Sequence, residues 1–386
     1  LKKILLPTLL LLSVLSASAA EPGVKDDEIL LGSCSGLSGP VKDLAEEHLL
    51  GAKTYVRYIN DQGGINGRKL KLLAADDEYD PAKAVACFQG LLKEGVFAGA
   101  FFQGTPTAVQ HAKMAEANKL PIVGIFSGAQ FLHEPFKRYI LNVRASSQDE
   151  VDRVVDRLWD DAGLRKVGVI YQYDALGSSL LEVIKKSLRR RGAAPAAVGS
   201  FKRGTMEVDD AIKEVRDAGA EVVFLAGAFN QAAEIAKRSK AAGWNPTFVG
   251  VSGWTDTFIK VAGPASEGAV LTQVVPPAGM TSLPAVALYA KMLAKYSPGA
   301  KPGLIGLEAF VDGIVLAEGL KRAGRDLTRE KLIDAVESIR DFDIGLGPDF
   351  KVNYSPTRHK AFDSDFVSVV RNGAAVPLKD WKQLKK

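Results

Sequence analysis

The chain has 386 residues, 47% of them hydrophobic and 25% charged, with a formal net charge of +5. That composition excludes a disordered or low-complexity protein, and the length suggests two domains rather than one ordinary core. Setting aside Lys2 and Lys3, the two cations of an acid-free leader, lowers the charge by two to +3, too little to argue for a nucleic-acid partner.

Residues 1–20 read as an export signal: basic Lys2-Lys3, an apolar run from Ile4 to Leu15, and the processing triplet Ala17-Ser18-Ala19. The run is too short to cross roughly 30 Å of hydrocarbon. Cleavage near Ala19 or Ala20 and a periplasmic protein are therefore expected. Strand 29–32, a glycine-serine turn 33–40, helix 41–60, the turn Gly63-Gly64-Ile65-Asn66-Gly67-Arg68 and strand 69–75 then make a βαβ unit. Open α/β sheets hold small ligands at the glycine-rich carboxyl edge of such a unit. The helix shows its buried stripe at Leu44, His48, Leu49, Ala52, Tyr55, Val56 and Ile59. Asp80 and Pro81 are start signals for helix 81–93. Strand 96–102 is apolar throughout, as a parallel strand covered on both faces should be. Gly104-Thr105-Pro106 leads into helix 107–118, followed by strand 121–126.

The alternation continues through helix 148–162, strand 166–171, helix 178–191, strand 197–201, helix 206–218, strand 221–226, helix 230–242 and strands 247–251 and 268–273. The fold class is α/β, with two Rossmann-like lobes built on doubly wound parallel sheets. Helices 283–296, 304–323 and 328–339 come with no strands of comparable length between them, and the tail 342–378 reads as short β segments. Helices without a sheet of their own need an apolar surface, and the first sheet is the available one. The chain should therefore recross and make both lobes discontinuous.

Chemistry-bearing motifs are few. Gly32-x-Cys34-x-Gly36 mimics a nucleophile elbow, but His48, His111, His133 and His359 have no evident acidic partner. Gly32, Gly36 and Gly39 are misspaced for a dinucleotide fingerprint, and no two histidines or cysteines stand at metal-ligand spacing. No cofactor and no metal site are expected. Cys34 and Cys87 either pair, as an oxidising compartment permits, or remain two buried thiols. Asp76-Asp77-Glu78 reads as a loop anchor rather than a cation site. Arg189-Arg190-Arg191 reads as a solvated helix end. Tyr173 and Trp254, in loops beyond strand ends, are candidate walls of a ligand pocket.

Taken in order, Ser38-Gly39-Pro40, Asn60-x-x-Gly63-Gly64-Ile65-x-Gly67-Arg68, Asp76-Asp77, Asp80-Pro81, Gly104-Thr105-Pro106-Thr107 and Asp174-Ala175-x-Gly177 resemble the type I periplasmic binding proteins. The resemblance covers nearly all of the mature chain and is nearest to the leucine/isoleucine/valine-binding branch of ABC-transporter receptors. It implies two lobes joined by three crossovers near residues 144, 276 and 352. Lobe 1 would then hold 27–144 and 277–352, and lobe 2 would hold 145–276 and 353–386. It further implies a monomeric, non-enzymatic receptor that closes around a small ligand and docks on an inner-membrane permease. By position, ligand contacts are expected at Ser38, at Gln103, Gly104 and Thr105, at Ser127, Gly128, Ala129 and Gln130, and at Tyr173, Phe229, Ser252 and Trp254. Ser252 stands where the family carries an acid, and Leu44 where it carries an aromatic. An amide or a carboxylic acid therefore fits at least as well as an α-amino acid, unless Asp174 or Asp256 supplies the missing carboxylate. A ligand sensor signalling to a membrane partner and a cysteine hydrolase using Cys34 are the alternatives.

Overall fold

The computed structural model describes residues 21–252 and 255–384. Residues 1–20, read above as an export signal, and Trp254 therefore lie outside the described residues. The first lobe is laid down as β1 (Glu28–Ser35), α1 (Lys42–Asp61), β2 (Lys69–Asp76), α2 (Pro81–Lys93), β3 (Ala98–Gln103), α3 (Thr105–Asn118), β4 (Ile122–Phe126) and β5 (Ile140–Leu141). Its sheet is parallel, in the order β2-β1-β3-β4-β5. The second lobe follows as α4 (Ser147–Arg157), β6 (Val167–Gln172), α5 (Ala175–Arg190), β7 (Ala197–Phe201), α6 (Asp209–Asp217), β8 (Val222–Ala226), α7 (Phe229–Ala241), β9 (Thr247–Gly250), α8 (Thr255–Ala262) and β10 (Val270–Gln273). The chain then returns with α9 (Pro284–Tyr296), α10 (Leu304–Ala323), α11 (Arg329–Glu337) and the short pair β11 (Phe342–Asp343) and β12 (Lys351–Val352), before β13 (Phe366–Arg371) and β14 (Ala374–Pro377). The last two strands add antiparallel to the second sheet, whose order is β14-β13-β10-β9-β8-β6-β7.

The recrossing helices pack where an apolar surface awaits them. Tyr289, Phe310, Val315, Leu320 and Ile333 share one core with Leu31, Tyr55, Phe88 and Phe102 of the first lobe. Helices α1 and α10 meet through glycines, and a Cβ on Gly51 would lie 2.0 Å from the Gly306 carbonyl oxygen.

Several expectations shift. Strand β1 runs on through Ser35 because Ser33, Cys34 and Ser35 pair with Ala74, Ala75 and Asp76 of β2, so the turn starts later than residue 33. Helix α8 was not expected between the strands. The stretch read as the end of helix 148–162 is a wider π turn, Leu158–Ala162. The return to the second lobe comes later than residue 352. Tyr354, Ala361 and Phe362 belong to the first lobe's core. They are held there because Asn142 N–H donates to the His359 carbonyl at 3.1 Å and Ala361 N–H to that of Asn142 at 3.1 Å. First and third crossovers thus run side by side.

The Asn60-to-Asp80 motif is scaffold. The Asn60 amide clamps both backbone poles of Leu70 at 2.8 Å each. Asp76 accepts from the backbone N–H of Ser38 (3.2 Å) and Glu78 (2.8 Å), Asp77 from Tyr79 (2.8 Å), and Asp80 caps α2 through Ala82 (2.8 Å) and Lys83 (3.1 Å). Cys34 and Cys87 form a disulfide across 53 positions of chain, a closure worth about 4 kcal/mol in the chain-entropy account.

Candidate functional site

A cavity lies between the lobes, with about 720 Å³ of space free of atoms including the solvent at its opening. Strand ends and helix starts build it. Strand β3 ends at Gln103, and Gly104 turns the chain at φ +103° into α3. A Cβ there would sit 2.5 Å from the Tyr79 ring, so the position needs glycine. Thr105, first in α3, shares a 2.7 Å hydrogen bond with Ser127 beyond β4. The Ser127 hydroxyl also accepts from the Ala129 N–H at 3.3 Å. Gly128 and Ala129 continue that wall. From the second lobe come Leu176, Ser179 and Leu180 of α5, Gly227-Ala228-Phe229 leading into α7, and Val251-Ser252 after β9. Val41, Leu44, Tyr79 and Phe126 supply apolar surface from the first lobe.

Five helices begin on this wall, α1 among them with Val41 at its N-cap. Those of α4 and α5 are capped by the side chains of Ser146 and Asp174. Those of α3 and α7 carry no side-chain cap, and they come from opposite lobes. Uncapped helix N-termini offer N–H groups and the positive end of the dipole to an anion. Gln103, 2% exposed, leaves its Oε1 without a partner.

Among the described residues one ionised side chain lines the cavity, Arg144, on the first crossover and 5% exposed. Its guanidinium lies 5.1 Å from the Phe126 ring centroid and donates to the Ser252 hydroxyl. It stands 3.3 Å from Glu308 of α10 and 3.9 Å from Glu150 of α4. Burial pushes the Glu308 carboxyl up to about 7 and also raises Glu150, the arginine opposing both shifts. Glu150 accepts from Ser252 N–H (3.2 Å), Ser252 Oγ (2.8 Å) and Thr272 Oγ1 (2.5 Å). At the mouth, Arg203 of the second lobe donates to the Tyr79 carbonyl and lies 4.9 Å from its ring centroid. Val41, Leu44, Tyr79 and Ile305 share one hydrophobic cluster with Phe201 and Phe229, so the lobes are closed on each other.

Of the residues expected here, Gln103, Gly104, Thr105, Ser127, Gly128, Ala129, Phe229 and Ser252 line the cavity, as does Leu44. Three do not. Ser38 is held outside by its bond to Asp76. Gln130 starts a short turn, Gln130–Leu132, behind the wall. Tyr173 is 72% exposed, its backbone N–H tied to the Phe201 carbonyl at 2.9 Å. Asp174 is spent on capping α5, and Asp256 lines a separate surface hollow with Lys260 and Pro277, so neither places a carboxylate in the cleft. Three histidines do stand near acids: His48 at 3.9 Å from Asp312, His111 at 3.8 Å from Asp77, and His359 at 2.9 Å from Glu337. None of this makes an elbow of Cys34, whose sulfur is bonded to Cys87 and fully buried. Arg144 was missed. A lone arginine inside Val143-Arg144-Ala145, directly after an apolar strand, was the available signal.

An amino acid binding protein of Pseudomonas aeruginosa is 25% identical over 226 residues, 58% of this chain and 60% of that protein. The match thus spans less than two thirds of that relative's length. A second protein of the same organism, named for binding leucine, isoleucine, valine, threonine and alanine, is 22% identical over 83% of this chain and 85% of its own. A substrate-binding periplasmic protein from Ralstonia solanacearum superposes with a TM-score of 0.84 at 28% identity, covering 91% of this chain and all of that one. A possible leucine/isoleucine/valine-binding protein from Rhodopirellula baltica, at 24% identity, shares the fold with a TM-score of 0.87 over 96% of this chain. The architecture is that of the type I periplasmic binding proteins. With the family model matching residues 28–374, the chain belongs to the periplasmic binding protein family.

Proposed function

We propose that the protein is the solute-binding receptor of an ABC importer, exported to the periplasm, and that it works by closure of its two lobes around a small ligand with an apolar body. The ligand class is amino-acid-like, amide or carboxylic acid. The observation that carries this reading is the inter-lobe cavity with two uncapped helix N-termini, α3 from one lobe and α7 from the other. A ligand seated on one lobe completes its contacts only when the second arrives, so its binding energy favours the closed state. Thr105, Ser127 and the α3 N-terminus would hold the polar head, and Leu44, Tyr79, Leu180 and Phe229 the apolar body. The Arg203–Tyr79 contact spans the mouth and is available only on closure. A permease recognising the closed outline would then receive loaded receptor in preference to empty.

Native mass spectrometry of freshly purified protein tests the proposal directly. A small molecule retained at one per chain, and lost on unfolding and refolding, is the expected result. Steady-state turnover of a screened substrate, or an empty cleft that no small molecule protects against thermal unfolding, would count against it. Ligand at 100 times its dissociation constant should add about 2.7 kcal/mol of stability.

A further inference from the structure

Arg144 is an unusual wall for a cavity otherwise lined by apolar side chains, hydroxyls and an amide. A guanidinium has five N–H donors. This one makes a single hydrogen bond, to Ser252 Oγ, and its buried Nε finds no acceptor. The carboxylates behind it do not line the cavity. Glu150 is saturated by Ser252 and Thr272, and Glu308 makes an ion pair with the guanidinium at 3.3 Å from behind the wall. Among the described lining residues there is no aspartate or glutamate.

We propose that Arg144 selects the ligand's head group, so that the cleft takes small organic acids with an apolar body and rejects their α-amino counterparts. The assignment rests on the receptor reading above and deepens it. An acid head adds the missing acceptors to a donor surplus. Charge-assisted bonds to a guanidinium are among the stronger ones proteins make. An α-ammonium would instead be desolvated beside a fixed cation and two helix N-termini, with no carboxylate to pair it. Glu308 and Glu150 approach the arginine from behind the wall, at 3.3 and 3.9 Å, and leave its cavity-facing side open to an anion. The planar Phe126 ring behind the guanidinium fixes its orientation.

Calorimetric titration of the full chain, stripped of any retained ligand, decides the matter with three probes of one shape: 4-methylpentanoate, its primary amide, and leucine. Benzoate, benzamide and phenylglycine repeat the comparison for an aromatic body. The acid of each set should bind about tenfold or more tighter than its amide and its amino acid, the scale of one charge-assisted hydrogen bond. Because Arg144→Gln alone strands two buried carboxylates, the balanced variant Arg144→Gln with Glu308→Gln is titrated beside it. In that variant the acid-over-amide preference should collapse while the melting transition persists. Leucine or the amide binding as tightly as the acid overturns the assignment and leaves the receptor reading intact. So does an acid preference that survives in the balanced variant. Silence from all six probes overturns both.

Discussion

Thr105 and Ser127 sit at the ends of neighbouring strands, and one 2.7 Å hydrogen bond between their hydroxyls leaves each with capacity to spare for a ligand. Thr105→Val keeps the branched shape and removes the oxygen. The buried Ser127 hydroxyl keeps its Ala129 N–H, so the cost to folding is that of one neutral hydrogen bond, about 1 kcal/mol. A lost bond to a charged head costs roughly 1.5–3 kcal/mol, or about tenfold to a hundredfold in affinity. Titration of the retained ligand should show that loss with little change in melting temperature, and an unchanged affinity would remove Thr105 from the site. These two hydroxyls were reached from the sequence through the family resemblance, which carries positions at the ends of neighbouring strands. Arg144 was not. Its meaning depends on Glu308, far along the chain, and on a crossover that brings α10 back beneath the cleft. Tyr173 failed in the opposite direction: a loop aromatic at a strand end looks the same whether it faces the cavity or, as here, the solvent.

Helix α1 meets α10 closely enough that three glycines, Gly51, Gly306 and Gly313, leave no room for a side chain. Alanine at Gly51 sets two effects against each other. Helix propensity favours it by about 1 kcal/mol. Against that, its Cβ would stand 2.0 Å from the Gly306 carbonyl oxygen, a contact of backbone that cannot rotate away. Overpacking of this kind costs typically 1–3 kcal/mol, so the substitution should destabilise on balance. The melting temperature should fall by roughly 1–2 °C per kcal/mol lost, and a rise would mean that the helices are more loosely packed than this. Most elements were legible from periodicity and punctuation. The apolar stripe of α1 and the Asp80-Pro81 start of α2 needed nothing beyond local chemistry. Helix α8 escaped because eight residues are barely two turns, too few for a period to declare itself. The late third crossover escaped for another reason. The bonds that hold His359 and Ala361 go to Asn142, a partner no local pattern can name.

Across the whole molecule, buried titratable groups set opposed demands on proton uptake. Burial raises Asp77 and Glu308 to about 7, Asp365 to about 8 and Asp312 well above the usual carboxylate range, and lowers His48 and His111 to about 3 and His133 to about 4. These acids hold protons in the folded chain that the unfolded chain has released. Their contribution is complete below about pH 4 and is lost as pH rises through about 7 to 8. The histidines stay neutral in the folded chain. Their contribution is complete above about pH 6.5 and is lost as pH falls through about 4 to 3. Between about pH 4.5 and 6 the unfolded chain takes up protons on its histidines while the folded chain keeps them on its acids, and the slopes largely cancel. Melting temperature followed from pH 3 to 9 at fixed ionic strength should therefore trace a plateau near pH 4.5–6.5. It should decline on the alkaline side through pH 8 and more steeply below pH 4. Asp77→Asn removes one of these acids without introducing a charge beside His111, 3.8 Å away, and should make the alkaline limb shallower while leaving the acid limb unchanged. A melting temperature that shows no decline between pH 6.5 and 8.5 would show that Asp77 and Glu308 are ionised in the folded protein, with Glu308 then neutralising Arg144 across their 3.3 Å ion pair. A neutralised Arg144 would weaken the preference for an acid head.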